Sequence, residues 1–346
     1  TITNERQGKV GQRRSRGERC GLHVERRNVT IAAGQISLTA TGSGGKGLKC
    51  DSTLTITGGD LSVTTTGTTY VNIGGNQEYD DNYRGQLDRL DDAYTTSPKG
   101  IKVGIKATES STGLPVGDIQ ISGGNIHVTC SGQQDGSEGI ESKGTLTISG
   151  GTIDCNTYDD TINSSSHMYI KVERSRCIAA ATTALLQRQP VLLGGTTVAY
   201  GTRSPECGID ANEEEGYTVF FTGGNVLGIG GGNNSHPTTQ ESTQGYVTYS
   251  ARHGGLQLTV SKDGTVLATF TLPYDYSRGN VILTAEGMTA GEQYTVSDGT
   301  STQTLSAVQY GNGGLVAAVD PVAEAVLVVE ATAAGKPQGP YCPQKR

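Results

Sequence analysis

Three stretches of the chain share one pattern of apolar and polar positions. Leu54-Thr55-Ile56-Thr57-Gly58-Gly59-Asp60-Leu61-Ser62-Val63 is echoed by Ile119-Gln120-Ile121-Ser122-Gly123-Gly124-Asn125-Ile126-His127-Val128 and by Leu146-Thr147-Ile148-Ser149-Gly150-Gly151-Thr152-Ile153-Asp154-Cys155. On both sides of each Gly-Gly, apolar residues alternate with polar ones, the period of a strand with one buried face. Gly-Gly marks a tight corner between two such strands. A strand–corner–strand unit recurring about every 20–30 residues predicts a solenoid, whose repeats bury their apolar sides against one another. The expected fold class is all-β: a parallel β-helix, right-handed by the chirality of parallel crossovers.

The pattern also divides the chain. The β-helix is expected over 28–236, beginning with Val29-Thr30-Ile31, a corner at Ala33-Gly34, and Ile36-Ser37-Leu38-Thr39. Residues 67–99 interrupt it with a loop that holds Tyr70, Tyr79, Tyr83 and Tyr94 among several acids. An insertion on a solenoid turn maps to one face, often the binding face. Residues 244–310 read instead as six longer strands with hairpin turns at Lys262-Asp263-Gly264 and Ser297-Asp298-Gly299. This predicts a small antiparallel β unit capping the open end of the solenoid. Residues 1–27 form an irregular leader, and 315–346 a tail.

A second phrase, centred on Gly-Ile, recurs once per turn: Gly47-Leu48-Lys49, Gly100-Ile101-Lys102, Gly139-Ile140-Glu141, Thr161-Ile162-Asn163 and Gly208-Ile209-Asp210. Equivalent positions in a stack of strands lie about 4.8 Å apart, so Lys49, Lys102, Glu141, Asn163 and Asp210 form a column. Glu138, Asp159, Asp160 and Glu206 fall just before it. Stacked, unpaired carboxylates repel one another. A divalent cation with oxygen ligands would remove that repulsion, and calcium suits such flexible cages. The expected metal ligands are Glu138, Glu141, Asp159, Asp160, Asn163 and Asp210; the competing reading is a solvated acidic rim.

Composition narrows the function. The chain has 346 residues, 51 Gly, 34% hydrophobic residues and a net charge of −7, with an Arg-rich first 27 residues. An acidic body does not suggest nucleic acid, and no apolar run reaches membrane-spanning length. Seven Cys show no metal spacing and no disulfide framework; Cys50, Cys130 and Cys155 read as buried strand residues.

Residues 171–193 break the pattern: they lack Gly and read like a helix, which would sever the stack. With permitted codons, a shifted frame turns Lys171–Leu185 into Gly-Gly-Thr-Val-Ala-Val-His-Arg-Cys-Ser-Asn-Asn-Gly-Ile. A second shift turns Leu186–Pro190 into Ser-Asn-Gly-Asn-Leu. Joined across one damaged codon that fits Asp, the result is in phase with Gly139–Leu146. The hypothesis is that three lost bases hide a full repeat here. The leader shows a weaker form of the same symptom beside Gly21-Leu22-His23.

With these motifs together, the chain resembles a bacterial family of carbohydrate-binding-domain-containing proteins, calcium-bearing parallel β-helices similar in shape to pectate lyases. The resemblance rests on the Ile-Ser-Gly-Gly turns, Glu138-Gly139-Ile140-Glu141-Ser142-Lys143-Gly144, Tyr158-Asp159-Asp160-Thr161-Ile162-Asn163 and Ser204-Pro205-Glu206-Cys207-Gly208-Ile209-Asp210. It covers about 28–310 and departs at 1–27 and 171–193. It implies calcium and binding of cell-wall polysaccharide, either acidic galacturonan or a cellulose-like glycan, by a monomer that is secreted or on the bacterial surface. Tyr70, Tyr79, Tyr83, Tyr94 and Lys102 are the expected ligand contacts, with tyrosines stacking on sugar rings. Two alternatives stand beside the binding module. One is a structural or adhesive surface solenoid. The other is a polysaccharide lyase using calcium and a lysine base drawn from Lys49, Lys102 or Lys143.

The frame hypothesis predicts that sequencing the gene will recover three single bases around 171–193. Uninterrupted codons matching the residues as they stand would refute it.

Overall fold

The structure, a computed structural model, describes residues 2–3, 20–24, 28–71, 95–105, 116–132, 136–179, 185–187, 190–201, 207–251, 254–272, 276 and 279–311. The described residues are nearly all β. A single 3-10 turn at Glu213–Glu215 is the one helical element among them. No helix there is long and apolar enough to cross a membrane.

Successive repeats feed one strand into each of three parallel ladders. The first ladder holds Val29–Ile31, Leu54–Ile56, Ile119–Ile121, Leu146–Ile148, then 168–170, 190–192 and Phe220–Phe221. The second holds Gln35–Ala40, Asp60–Thr65, Asn125–Cys130, Thr152–Thr157, then 174–179, 196–200 and Asn225–Gly230. The third holds Cys20–Val24, Lys46–Cys50, Lys99–Val103, Glu138–Ser142, Ile162–Ser164, Leu185–Gln187 and Ile209–Asp210. Apolar columns run through the stack, interrupted in the second ladder where Ser175 and Thr197 follow Ile153 in register. Leu54, Ile119, Leu146 and Met168 lie in register, as do Leu61, Ile126 and Ile153, and all are buried.

The Gly-Gly corners exist because backbones stack on backbones there. A Cβ on Gly123 would lie 2.7 Å from the Thr57 carbonyl oxygen; one on Gly150 would lie 2.7 Å from that of Ser122. The second glycine of each corner also has a positive φ, +91° at Gly59, +95° at Gly124 and +87° at Gly151, a conformation that suits Gly alone. The next residue donates its N–H to the corner one repeat back: Asn125 to the Gly59 oxygen at 2.9 Å, Thr152 to the Gly124 oxygen at 2.9 Å.

Two stretches that break the sequence pattern contain strand where the structure describes them. Residues 171–193 contain no helix among their described members. Met168–Ala179 is one long strand that serves the first and second ladders without a corner, with register shifts around Lys171 and Arg174. Leu185–Gln187 then enters the third ladder between Ile162–Ser164 and Ile209–Asp210. Unpaired strand edges on both sides offer backbone hydrogen bonds that helix propensity does not outweigh. The leader is also not wholly irregular. Cys20–Val24 pairs in parallel with Lys46–Cys50, Leu22 opposite Leu48, and Ile2–Thr3 pairs antiparallel with Val29–Ile31.

Beyond the last repeat the strands become antiparallel. Gly279–Thr284 pairs with Asn225–Gly230 and with Val247–Ala251, which covers the edge of the second ladder. Thr265–Thr271, Gln257–Lys262, Gln293–Ser297 and Thr302–Ser306 make a separate four-stranded sheet in that order. Asp263 and Gly264 form its two-residue hairpin with φ of +49° and +79°, as the Asp-Gly pair demands. Leu258, Val260, Phe270, Tyr294 and Val296 fill a second core with Tyr249 and Leu283.

Gly124→Ala is expected to combine φ strain with a backbone clash and to cost more than the ~1–3 kcal/mol of strain alone. Gly287→Ala is the control: φ is +86° but nothing lies within 4 Å of the added carbon. Melting of the two variants should show a clearly larger loss for Gly124→Ala; equal losses would contradict the stacked-corner account.

Candidate functional site

Two polar constructions arise from the ladders. The first is the column on the third ladder. The register is as the Gly-Ile phrase implies: Lys49 opposite Lys102, Lys102 opposite Glu141, Glu141 opposite Asn163, with Leu186 between Asn163 and Asp210. The glycines of that phrase let the ladder pack on the second: a Cβ on Gly100 would strike Val128, and one on Gly139 would strike Cys155.

A parallel column runs three residues earlier, Lys46 opposite Lys99 and Lys99 opposite Glu138. All of these side chains are buried or nearly so. Lys46 is fully covered, Glu141 is 3% exposed and Glu138 9%. Lys99 Nζ lies 2.6 Å from Glu138 Oε1, and Lys102 Nζ lies 3.5 Å from Glu141 Oε2. Lys143, two residues along the same strand direction, also pairs with Glu141. Lys46 Nζ donates to the Gly44 oxygen at 2.7 Å and to Thr96 Oγ1 at 2.6 Å.

The titrations follow from this packing. Burial alone would raise the Glu141 carboxyl, but Lys102, Lys99 and Lys143 hold it well below the usual glutamate range. Glu138 goes the other way: burial dominates, and its carboxyl is raised despite Lys99. Glu141 pulls Lys102 upward, yet burial together with Lys143 and Lys99 brings that ammonium below its ordinary value. Burial would lower Lys99 and Lys143, but their carboxylate neighbours win and both are raised.

The sequence-predicted metal ligands therefore do not surround an open position. Glu138 and Glu141 face lysines. Asp159, 1% exposed, accepts from the Gly136 N–H, and Asn163 Nδ2 lies 3.4 Å from Asp160 Oδ2. Asp210 Oδ1 accepts from the Asn212 N–H at 2.7 Å within its own turn. Among the described residues no group of three or more His, Cys, Asp or Glu side chains converges to hold a metal ion. This residue set does not fit a calcium ladder. Of the predicted ligand contacts, Lys102 belongs to the ion-pair cluster. Tyr70 is half-buried at the foot of the insertion, where Tyr70–Val71 pairs with Thr95–Thr96. Tyr79, Tyr83 and Tyr94 lie outside the described residues, as does Glu206.

The second construction is on the outer face of the second ladder. Gln35, Asp60, Asn125 and Thr152 lie in register as one column, and Ser37, Ser62, His127 and Asp154 as the next. Together with Ile36, Leu61 and Ile126 they line a shallow open groove of about 410 Å³. Its side chains are linked rung to rung. Asn125 Nδ2 donates to Asp60 Oδ1 at 2.7 Å, His127 Nδ1 lies 3.5 Å from Asp154 Oδ2, and Thr129 Oγ1 lies 3.4 Å from His127 Nε2. Its described lining carries two carboxylates and no Lys or Arg. The signal was present in the sequence, at the first and third positions after each Gly-Gly. Those residues were read there only as the polar half of a strand pattern.

A family model described as carbohydrate-binding domain-containing protein matches residues 21–182. The match supports a carbohydrate-binding family for this part of the chain, which contains the groove and the Lys49–Asn163 part of the charged column. No curated protein and no solved structure matches the chain.

At neutral pH, Glu141→Gln is expected to cost about 3–5 kcal/mol, the usual consequence of breaking a buried pair on one side. Because the folded-state value of Glu141 is depressed, its contribution is present above the free glutamate value of about 4.3 and is lost as pH falls through the lower folded value. Denaturant melts of wild type and variant should therefore converge below about pH 4. A gap that stays constant down to acid would contradict the ion-pair assignment.

Proposed function

We propose that the three ladders are the faces of a right-handed parallel β-helix whose second face binds polysaccharide along the Gln35–Asp154 groove. The observation that carries this reading is the pair of in-register columns of hydrogen-bonding side chains. They repeat at the strand spacing of about 4.8 Å, close to the length of one sugar ring in an extended chain. A glycan lying across the strands would meet an equivalent set of donors and acceptors at each rung. The carbohydrate-binding family match over residues 21–182 supports the same function.

The groove also bears on the choice of glycan. Asp60 and Asp154 would repel uronate carboxylates, so a neutral, cellulose-like chain fits better than acidic galacturonan. Secretion or display on a bacterial surface would bring such a site to its polymer.

The test is retention on insoluble cellulose and on immobilised polygalacturonate, with ultraviolet absorbance of the soluble fraction followed in parallel. Wild type should be retained on cellulose without new absorbance. Asn125→Ala combined with His127→Ala removes two hydrogen-bonding groups worth about 0.5–1.5 kcal/mol each, so affinity should fall about tenfold while the melting temperature holds. Unchanged retention in the double variant would sink the groove assignment. Rising absorbance on polygalacturonate would point to lyase chemistry, and retention on neither polymer to a structural role.

A further inference from the structure

We infer that Lys99, Lys102 and Lys143 are built-in counter-cations, and that the acidic column of the third ladder is held together without a divalent metal. Parallel stacking places Glu138 and Glu141 one rung from Lys99 and Lys102, so each buried carboxylate meets an ammonium at the position where a stacked acid would otherwise sit. Lys143 adds a second ammonium to Glu141. Lys99 also lies within electrostatic reach of Asp159. A divalent cation placed in this cluster would add two charges to a buried, already compensated site, where an unbalanced charge is costly. The lysine amines would have to be expelled first, and Lys99 is itself buried.

Two atoms make the inference open to a sharp test. Glu138 Oε2 and Glu141 Oε2 are buried without a hydrogen-bond partner. These are the acceptors a metal ion would seek; a water molecule can satisfy such groups equally well. The cluster is on the third ladder and the proposed glycan groove on the second, so one reading can fail without the other.

The experiment compares melting temperatures of the full chain and two variants, each in excess chelator and in excess calcium. Glu141→Gln strands Lys102 and Lys143 whatever the medium. If the lysines are the counter-cations, the drop from wild type to variant is the same in chelator and in calcium. If a calcium ion holds the column, the drop appears in calcium and vanishes in chelator, and the inference is overturned. Lys143→Met, at the more exposed rim of the cluster, covers the case in which Glu141→Gln fails to fold. Its variant should melt several degrees below wild type in chelator and recover part of that loss with calcium, which can then take the vacated place. A Lys143→Met variant as stable as wild type in chelator would overturn the inference as well.

Discussion

Parallel in-register stacking is the constraint on which the rest of this structure depends. Each residue sits about 4.8 Å from its counterparts in the repeats above and below, so every choice of side chain is repeated or answered by its neighbours. Apolar residues satisfy this by matching like with like, as Leu54, Ile119, Leu146 and Met168 do in the first ladder. Corners satisfy it by removing the side chain altogether, because the backbone of one corner occupies the space where a Cβ of the next would go. Buried charges need an answer of opposite sign, and where the acids enter the third ladder they are stacked on lysines, Glu138 on Lys99 and Glu141 on Lys102.

Much of this was legible in the residues. The period fixed the strands, and it placed Lys49, Lys102, Glu141, Asn163 and Asp210 in one column, which the register reproduces. The meeting of Lys102 with Glu141 was also present in that column but was read as two separate chemistries, acids for a metal and lysines for a base. Sequence spacing shows which residues share a column; it does not show that two of them are close enough, and dry enough, to neutralise each other. Lys46 and Lys99 were missed altogether as partners, because they precede the Gly-Ile phrase and look like solvated turn lysines until burial is known.

Residues 171–193 break the sequence pattern, with a helix-like composition and no Gly-Gly to mark a corner, and were read as a repeat hidden by lost bases. Neighbouring repeats impose the answer instead: Cys177 falls opposite Cys155, and Leu185 enters the position held by Ile162 and Ile209. In a parallel ladder the edge of one strand is the template for the next, so a poor sequence can be carried by good neighbours on both sides. The cost is visible in the register shifts around Lys171 and in Leu186, an apolar residue in an otherwise polar column.

One rung does stack like charges, Lys46 over Lys99 and Lys49 over Lys102, and the way the first pair is resolved ties the core to the insertion. Lys99 turns to Glu138, whereas Lys46 is fully buried and gives its protons to the Gly44 carbonyl and to Thr96 Oγ1. Thr96 belongs to the short antiparallel pair at the base of the insertion, opposite Tyr70. The repulsion between two stacked ammonium groups is thus relieved by the Gly44 carbonyl and by Thr96 Oγ1, which the foot of the insertion supplies. The cluster that holds the third ladder together also anchors the point where the chain leaves the stack and returns to it. A loop rooted in this way can vary in its outer residues without disturbing the repeats beneath, since the residues that fix its ends answer to the column rather than to the loop.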